Sequence, residues 1–96
     1  WKFADMKINL DAAQLLLYRA ACNADSGYPS AEETSIAKAF CNRIGFETAS
    51  EAMQIMGGAG YMAGEMQRLF REARLGPIGG GTSEILRNVI GKRMGL

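Results

Sequence analysis

The sequence predicts an all-α fold, an up-and-down bundle of two long helices followed by two shorter ones. Three observations carry that expectation. Apolar residues recur at spacings of three and four along most of the chain. The recurrences are interrupted at Asp25-Ser26-Gly27-Tyr28-Pro29, at Gly57-Gly58 and at Pro77-Ile78-Gly79-Gly80-Gly81, residue types that stop helices. No segment alternates with the period of two that a strand requires.

The first helix is marked by Phe3, Met6, Leu10, Ala13, Leu17, Ala20 and Ala24, the apolar seam of a helix packed against other helices. Leu15 and Leu16 broaden the stripe, so more than one neighbour is expected to cover it. Ser30-Ala31-Glu32-Glu33 matches the capping box S-x-x-E, with Ser30 as N-cap and Glu33 reaching back. From there Ile36, Phe40, Ile44, Ala49, Met53 and Met56 supply an apolar side over roughly seven turns. Cys41, Gly45, Thr48 and Ala52 form a second, small-residue side suited to close helix approach. Gly57-Gly58 stops this helix. A shorter one is expected over Glu65 to Arg74, with Met66, Leu69, Phe70 and Ala73 inward. The last runs from about Thr82 to Arg93 and buries Ile85, Val89 and Ile90 or Leu86.

Composition narrows the function. The chain has 96 residues, 48% hydrophobic and 22% charged, which suits one small globular domain and argues against disorder. A domain of this size buries a limited fraction of its surface and gains from a partner. The net charge is +1 with the 11 Lys and Arg scattered, so no electrostatic footprint for nucleic acid or an anionic membrane exists. No apolar run approaches the ~18 residues of a membrane span, and no signal-peptide pattern opens the chain. His is absent, and Cys22 and Cys41 have no CxxC spacing. No metal site is therefore expected, and the cysteines read as buried free thiols in a reducing compartment. The six Met residues read as core filler. The absence of Met before Trp1 leads us to expect that the chain begins inside a larger protein.

Two glycine segments are the candidates for ligand contact. Gly57-Gly58-Ala59-Gly60-Tyr61 follows a helix rather than a strand, so the dinucleotide-binding context fails, and on spacing alone it reads as a helix stop. Gln54, one turn earlier, offers an amide that can cap local backbone or reach a ligand. In Gly79-Gly80-Gly81 three residues without Cβ let backbone approach a ligand closely. Thr82 or Ser83 then caps a helix whose first N–H groups point outward. Alone, that loop too reads as punctuation. Glu32, Glu33, Glu47 and Glu51 read as solvated carboxylates. Arg68, Arg71, Glu72 and Arg74 read as exposed charges, although Arg71-Glu72 can also tether the glycine loop.

Taken jointly, Ala4-Asp5-Met6, the run Glu51 to Tyr61, Arg68-Leu69-Phe70-Arg71-Glu72-Ala73-Arg74 and Gly81-Thr82-Ser83-Glu84-Ile85 resemble the C-terminal helical domain of acyl-CoA dehydrogenases. The order and spacing hold across essentially the whole chain, which is far more specific than either glycine segment. The resemblance implies an FAD enzyme oxidising an acyl-CoA thioester to its 2,3-enoyl form. A carboxylate takes the α proton while the β hydride passes to the flavin, whose chemistry the protein orients. By the same resemblance, Gln54, Gly57 and Gly58 touch the FAD of a neighbouring subunit. Thr82, Ser83 and Glu84 lie along the other face of a flavin site, and Gly81 lies beside the substrate. It also implies a dimer or tetramer assembled through this domain, and an electron-transfer flavoprotein or similar acceptor. The compartment would be cytoplasmic in a bacterium or the mitochondrial matrix in a eukaryote.

Two departures from the family pattern matter. Many members carry Tyr-Glu-Gly-Thr where this chain reads Gly79-Gly80-Gly81-Thr82, and that Glu is the catalytic base; Gly80 has no side chain. Isovaleryl-CoA and long-chain types place the base on an earlier helix, so here it is expected upstream of Trp1. Glu84 is nearby but belongs to the FAD contacts. Family members also have an N-terminal helical domain, a middle β domain and one more long helix before the position of Trp1. Residues 1–96 are thus expected to be a single partial domain, the C-terminal bundle of a larger flavoprotein, inactive alone and self-associating through its exposed apolar stripe. The alternatives are a same-fold acyl-CoA oxidase or flavin monooxygenase, and a cofactor-free helical oligomerisation module, for which Gly79-Gly80-Gly81 beside a capped helix has no use.

Overall fold

The computed structural model describes residues 1–24 and 27–96. They form five helices and no strand: α1 Lys2–Cys22, α2 Ala31–Met56, α3 Gly58–Tyr61, α4 Glu65–Leu75 and α5 Ser83–Arg93. The expected two long and two shorter helices are all present, and the single turn of α3 is added between them. None of the described helices is long and apolar enough to cross a membrane.

The break between α1 and α2 falls slightly earlier than the Gly-Pro cluster. Asn23 closes α1, its backbone N–H donating to the Arg19 carbonyl at 3.0 Å; Asp25 and Ser26 of the expected breaker lie outside the described residues. Half of the expected capping box forms. The Glu33 N–H donates to Ser30 Oγ at 3.1 Å, but the Glu33 carboxylate does not return to the Ser30 backbone. It accepts instead from Asn23 Nδ2 at 2.9 Å and faces Arg19 Nε at 3.6 Å, because a cation and an amide from the end of α1 are better partners than one exposed N–H. At the other end Lys2 pairs with Glu51. These two ties, start to end and end to start, make α1 and α2 antiparallel.

α2 is the axis of the molecule, the one helix that packs against each of the others, while α1 packs against α2 alone. The α1–α2 crossing is close because its residues are small. Ala13 and Ala20 are buried, and the Cys41 thiol sits 3.8 Å from the Ala13 carbonyl oxygen. α4 descends antiparallel to α2: the Phe70 ring lies 5.3 Å from that of Phe46, and further on Gly76 meets Asn42.

Several expected core positions are exposed. Of the α1 seam, Met6, Ala13 and Ala20 face α2, whereas Phe3, Leu10 and Leu17 lie on an uncovered flank. At 100° per residue they stand beside the buried line, and no second helix covers α1. For the same reason Cys22 is exposed rather than buried, and Cys41 is only half-buried. Gly45, expected at a close approach, faces open space. In α5 Leu86, not Ile85, is the buried residue, with Val89 and Ile90 half-buried. Leu69, Met56, Met62 and Met94 are also exposed. Among the described residues Ile44 is the one large side chain that is fully buried, worth about 2–3 kcal/mol of apolar transfer.

Candidate functional site

The first glycine segment ends α2. Gly57 takes φ 59°, and its N–H donates to the Gln54 carbonyl at 3.2 Å, so its glycine is required by the left-handed turn. Gly58 is different. Its φ is ordinary, and a Cβ there would meet nothing within 4 Å, so neither conformation nor packing within the chain requires glycine. Gly60 is the packed member: a Cβ would fall 2.9 Å from Met56 Cβ and 3.0 Å from the Met53 carbonyl oxygen. Gln54, Gly57 and Gly58 are exposed on one side of this turn.

The second segment is a closed loop between α4 and α5. Ile78 and Gly79 N–H groups donate to the Leu75 carbonyl at 2.9 and 2.8 Å, and the Ser83 N–H donates to the Pro77 carbonyl at 3.2 Å. Gly80 and Gly81 take φ 63° and 102°, conformations costly for any residue with a Cβ. Gly81 packs on Leu86, Cδ2 lying 3.6 Å from the would-be Cβ. Thr82, not Ser83, is the cap: its Oγ1 accepts from the Ile85 N–H at 3.4 Å. Ser83, half-buried, opens α5.

Glu84 occupies the first turn of α5, fully exposed. Its pKa lies below the ordinary 4.5, chiefly because its own backbone N–H bonds the carboxylate, then through the Thr82 hydroxyl and the charges of Arg87 and Arg74, against a small opposing desolvation. A carboxylate held in its ionised form this way is a weakened proton acceptor.

The resemblance assigned Gln54, Gly57 and Gly58 to one flavin contact and Thr82, Ser83 and Glu84 to another, and in the fold the two sets lie well apart. The glycine loop meets α2 at Lys38, sixteen residues before Gln54, which is about 24 Å of helix. Arg71-Glu72 does not tether the loop; Glu72 pairs with Arg68 at 2.7 Å on its own helix. Lys38 does, and spacing gave no signal of it, because a lysine on a helix reads as solvent-facing.

Both segments suit a large planar or phosphorylated cofactor in one respect. Each presents exposed backbone with space that a Cβ at Gly58, or a side chain at Gly80, would otherwise intrude upon.

Comparison with known proteins agrees with this geometry. The family model for the acyl-CoA dehydrogenase C-terminal domain matches residues 1–95. The mitochondrial short-chain specific acyl-CoA dehydrogenase of Rattus norvegicus is 41% identical over 92 residues, covering 94% of this chain and 22% of that protein. The 3-sulfinopropanoyl-CoA desulfinase of Cupriavidus necator is 38% identical over 91 residues, covering 94% of this chain and 23% of the other. The structure of butyryl-CoA dehydrogenase from Megasphaera elsdenii superposes with a TM-score of 0.91 at 35% identity, over 99% of this chain and 25% of that one. The chain thus spans about a quarter of the length of the curated relatives it matches. A single helical unit carrying both glycine turns, matched along essentially its whole length, belongs to the acyl-CoA dehydrogenase family through its C-terminal domain.

Proposed function

We propose that residues 1–96 are the C-terminal bundle of an FAD-dependent acyl-CoA dehydrogenase that converts an acyl-CoA thioester to its 2,3-enoyl form. The observation that carries the reading is Gly58, a glycine that neither φ nor any neighbour in the chain requires. Gly45 and Gly91 are equally bare; Gly58 differs in standing at the α2–α3 junction beside Gln54 and Gly57. Gln54, Gly57 and Gly58 would hold FAD belonging to a neighbouring subunit, while Thr82, Ser83 and Glu84 would border another flavin site. The roughly 24 Å of α2 between the two groups supports their serving different copies of the protein, and hence a dimer or tetramer.

When bound, FAD supplies the acceptor for the β hydride. The chain's own groups position. The Thr82 oxygen accepts from the Ile85 N–H, and its hydroxyl holds the Glu84 carboxylate ionised. Gly81 brings backbone beside the acyl-CoA. Gly80 has no side chain to take a proton and Glu84 would border the flavin, so the base would be a carboxylate outside these residues. Electrons then leave to an electron-transfer flavoprotein or a similar acceptor.

The test is the visible spectrum of the full-length protein before and after a saturated acyl-CoA is added anaerobically. Flavin bands that bleach are the expected result. Flavin that does not bleach with any chain length would remove the dehydrogenase reading, and a protein purified without flavin would leave a helical oligomerisation module.

A further inference from the structure

Two side chains one turn apart on α2 form the bed of the glycine loop. Asn42 Oδ1 would lie 3.0 Å from a Cβ at Gly76, so the loop lies tight against this side chain. One turn earlier, the part-buried Lys38 Nζ donates to the Gly79 carbonyl at 3.0 Å. The same ammonium lies 3.5 Å, and Cε 3.9 Å, from where a Cβ on Gly80 would stand. Among the described residues no carboxylate pairs with Lys38. Ordering a lysine costs rotamer entropy and part of its hydration. A charge-assisted bond to a backbone carbonyl offsets that cost only where the carbonyl is held in one place.

We propose that Lys38 is a positioning residue that sets the orientation of the Gly79–Gly80 peptide. In a planar trans peptide the carbonyl and the following N–H point in opposite directions. Holding the Gly79 oxygen toward α2 therefore aims the Gly80 N–H away from α2, toward the exposed side of the loop. Two consecutive residues with positive φ, Gly80 and Gly81, have little intrinsic preference for one peptide orientation. An external anchor is what selects it. Through Gly81 and Thr82 the same anchor fixes where α5 begins. The consequence for catalysis rests on the acyl-CoA dehydrogenase reading above; the consequence for the loop does not.

The experiment is hydrogen exchange by mass spectrometry on the full-length protein, comparing wild type with Lys38→Met and Lys38→Arg. Met keeps the stem length without donors, and Arg restores a cationic donor. Loss of one charge-assisted bond should speed exchange of the hydrogen-bonded Ile78, Gly79 and Ser83 amides about tenfold in Lys38→Met, with α2 unchanged and Lys38→Arg near wild type. In the same preparations kcat/KM with the bleaching acyl-CoA should fall by a similar factor at unchanged flavin content. Unchanged exchange at Ile78, Gly79 and Ser83 in Lys38→Met overturns the proposal, as does acceleration spread evenly over α2 and α5. Wild-type protein that fails to bleach with acyl-CoA would sink the enzymatic reading instead, and the exchange result would still decide what Lys38 does.

Discussion

The two glycine segments look alike in sequence and are glycine for opposite reasons. In the first, φ constrains Gly57 alone, packing demands fall on Gly60, against Met56 and Met53, and Gly58 is unconstrained. In the second, demands are conformational: Gly80 and Gly81 have positive φ, and the loop is pinned from beneath by Lys38 and Asn42. A glycine can therefore record a neighbour, a backbone angle or a missing guest. Only the third kind points directly at function.

The largest expected effect is at Gly60. Gly60→Val drives a branched side chain into the backbone of α2 and should cost about 3 kcal/mol, read as a lower thermal midpoint. Gly81→Ala should cost about 2 kcal/mol through its φ of 102°, and should weaken acyl-CoA binding in the full-length protein. Thr82→Ala removes the α5 cap and should cost about 1 kcal/mol, measured by urea unfolding. Gly58→Leu should change stability by less than about 0.5 kcal/mol yet lower the flavin content of the full-length protein. Unchanged flavin would collapse the contrast between the two segments. The smallest effect is electrostatic. The Glu84 carboxylate has a folded pKa below its ordinary 4.5, so its stabilising contribution is complete above that value and is lost as pH falls through the lowered one. Glu84→Gln should therefore lower stability slightly and evenly above pH 4.5 and abolish this group's share of the fall below it, so that the two proteins converge in acid.

Much of the fold was legible because helix signals are local. Ser30 caps α2, as its spacing to Glu33 implies, and Thr82, one of two neighbouring candidates, caps α5. Facing was less legible. The line Phe3, Leu10, Leu17 has as regular a period as Met6, Ala13, Ala20, and periodicity reports an apolar stripe without saying which part of it a partner covers. Lys38 was illegible for a related reason: its partner, the Gly79 carbonyl, lies 41 residues away and carries no side chain to betray the pairing. The short α3 was missed because Gly57-Gly58 is a strong stop signal, and one turn resumes beyond it only through the tight Gly60 contact.

Trp1 stands at the head of the uncovered flank of α1, 86% exposed, with the Lys2 ammonium 5.1 Å from its ring centroid. It is the sole tryptophan, which makes the chain its own optical probe. Emission from this indole should be that of a hydrated ring while the flank is bare and should move to shorter wavelength once another surface settles over it. Docking of the bundle can thus be followed by intrinsic fluorescence, with no dye, no engineered label and no turnover.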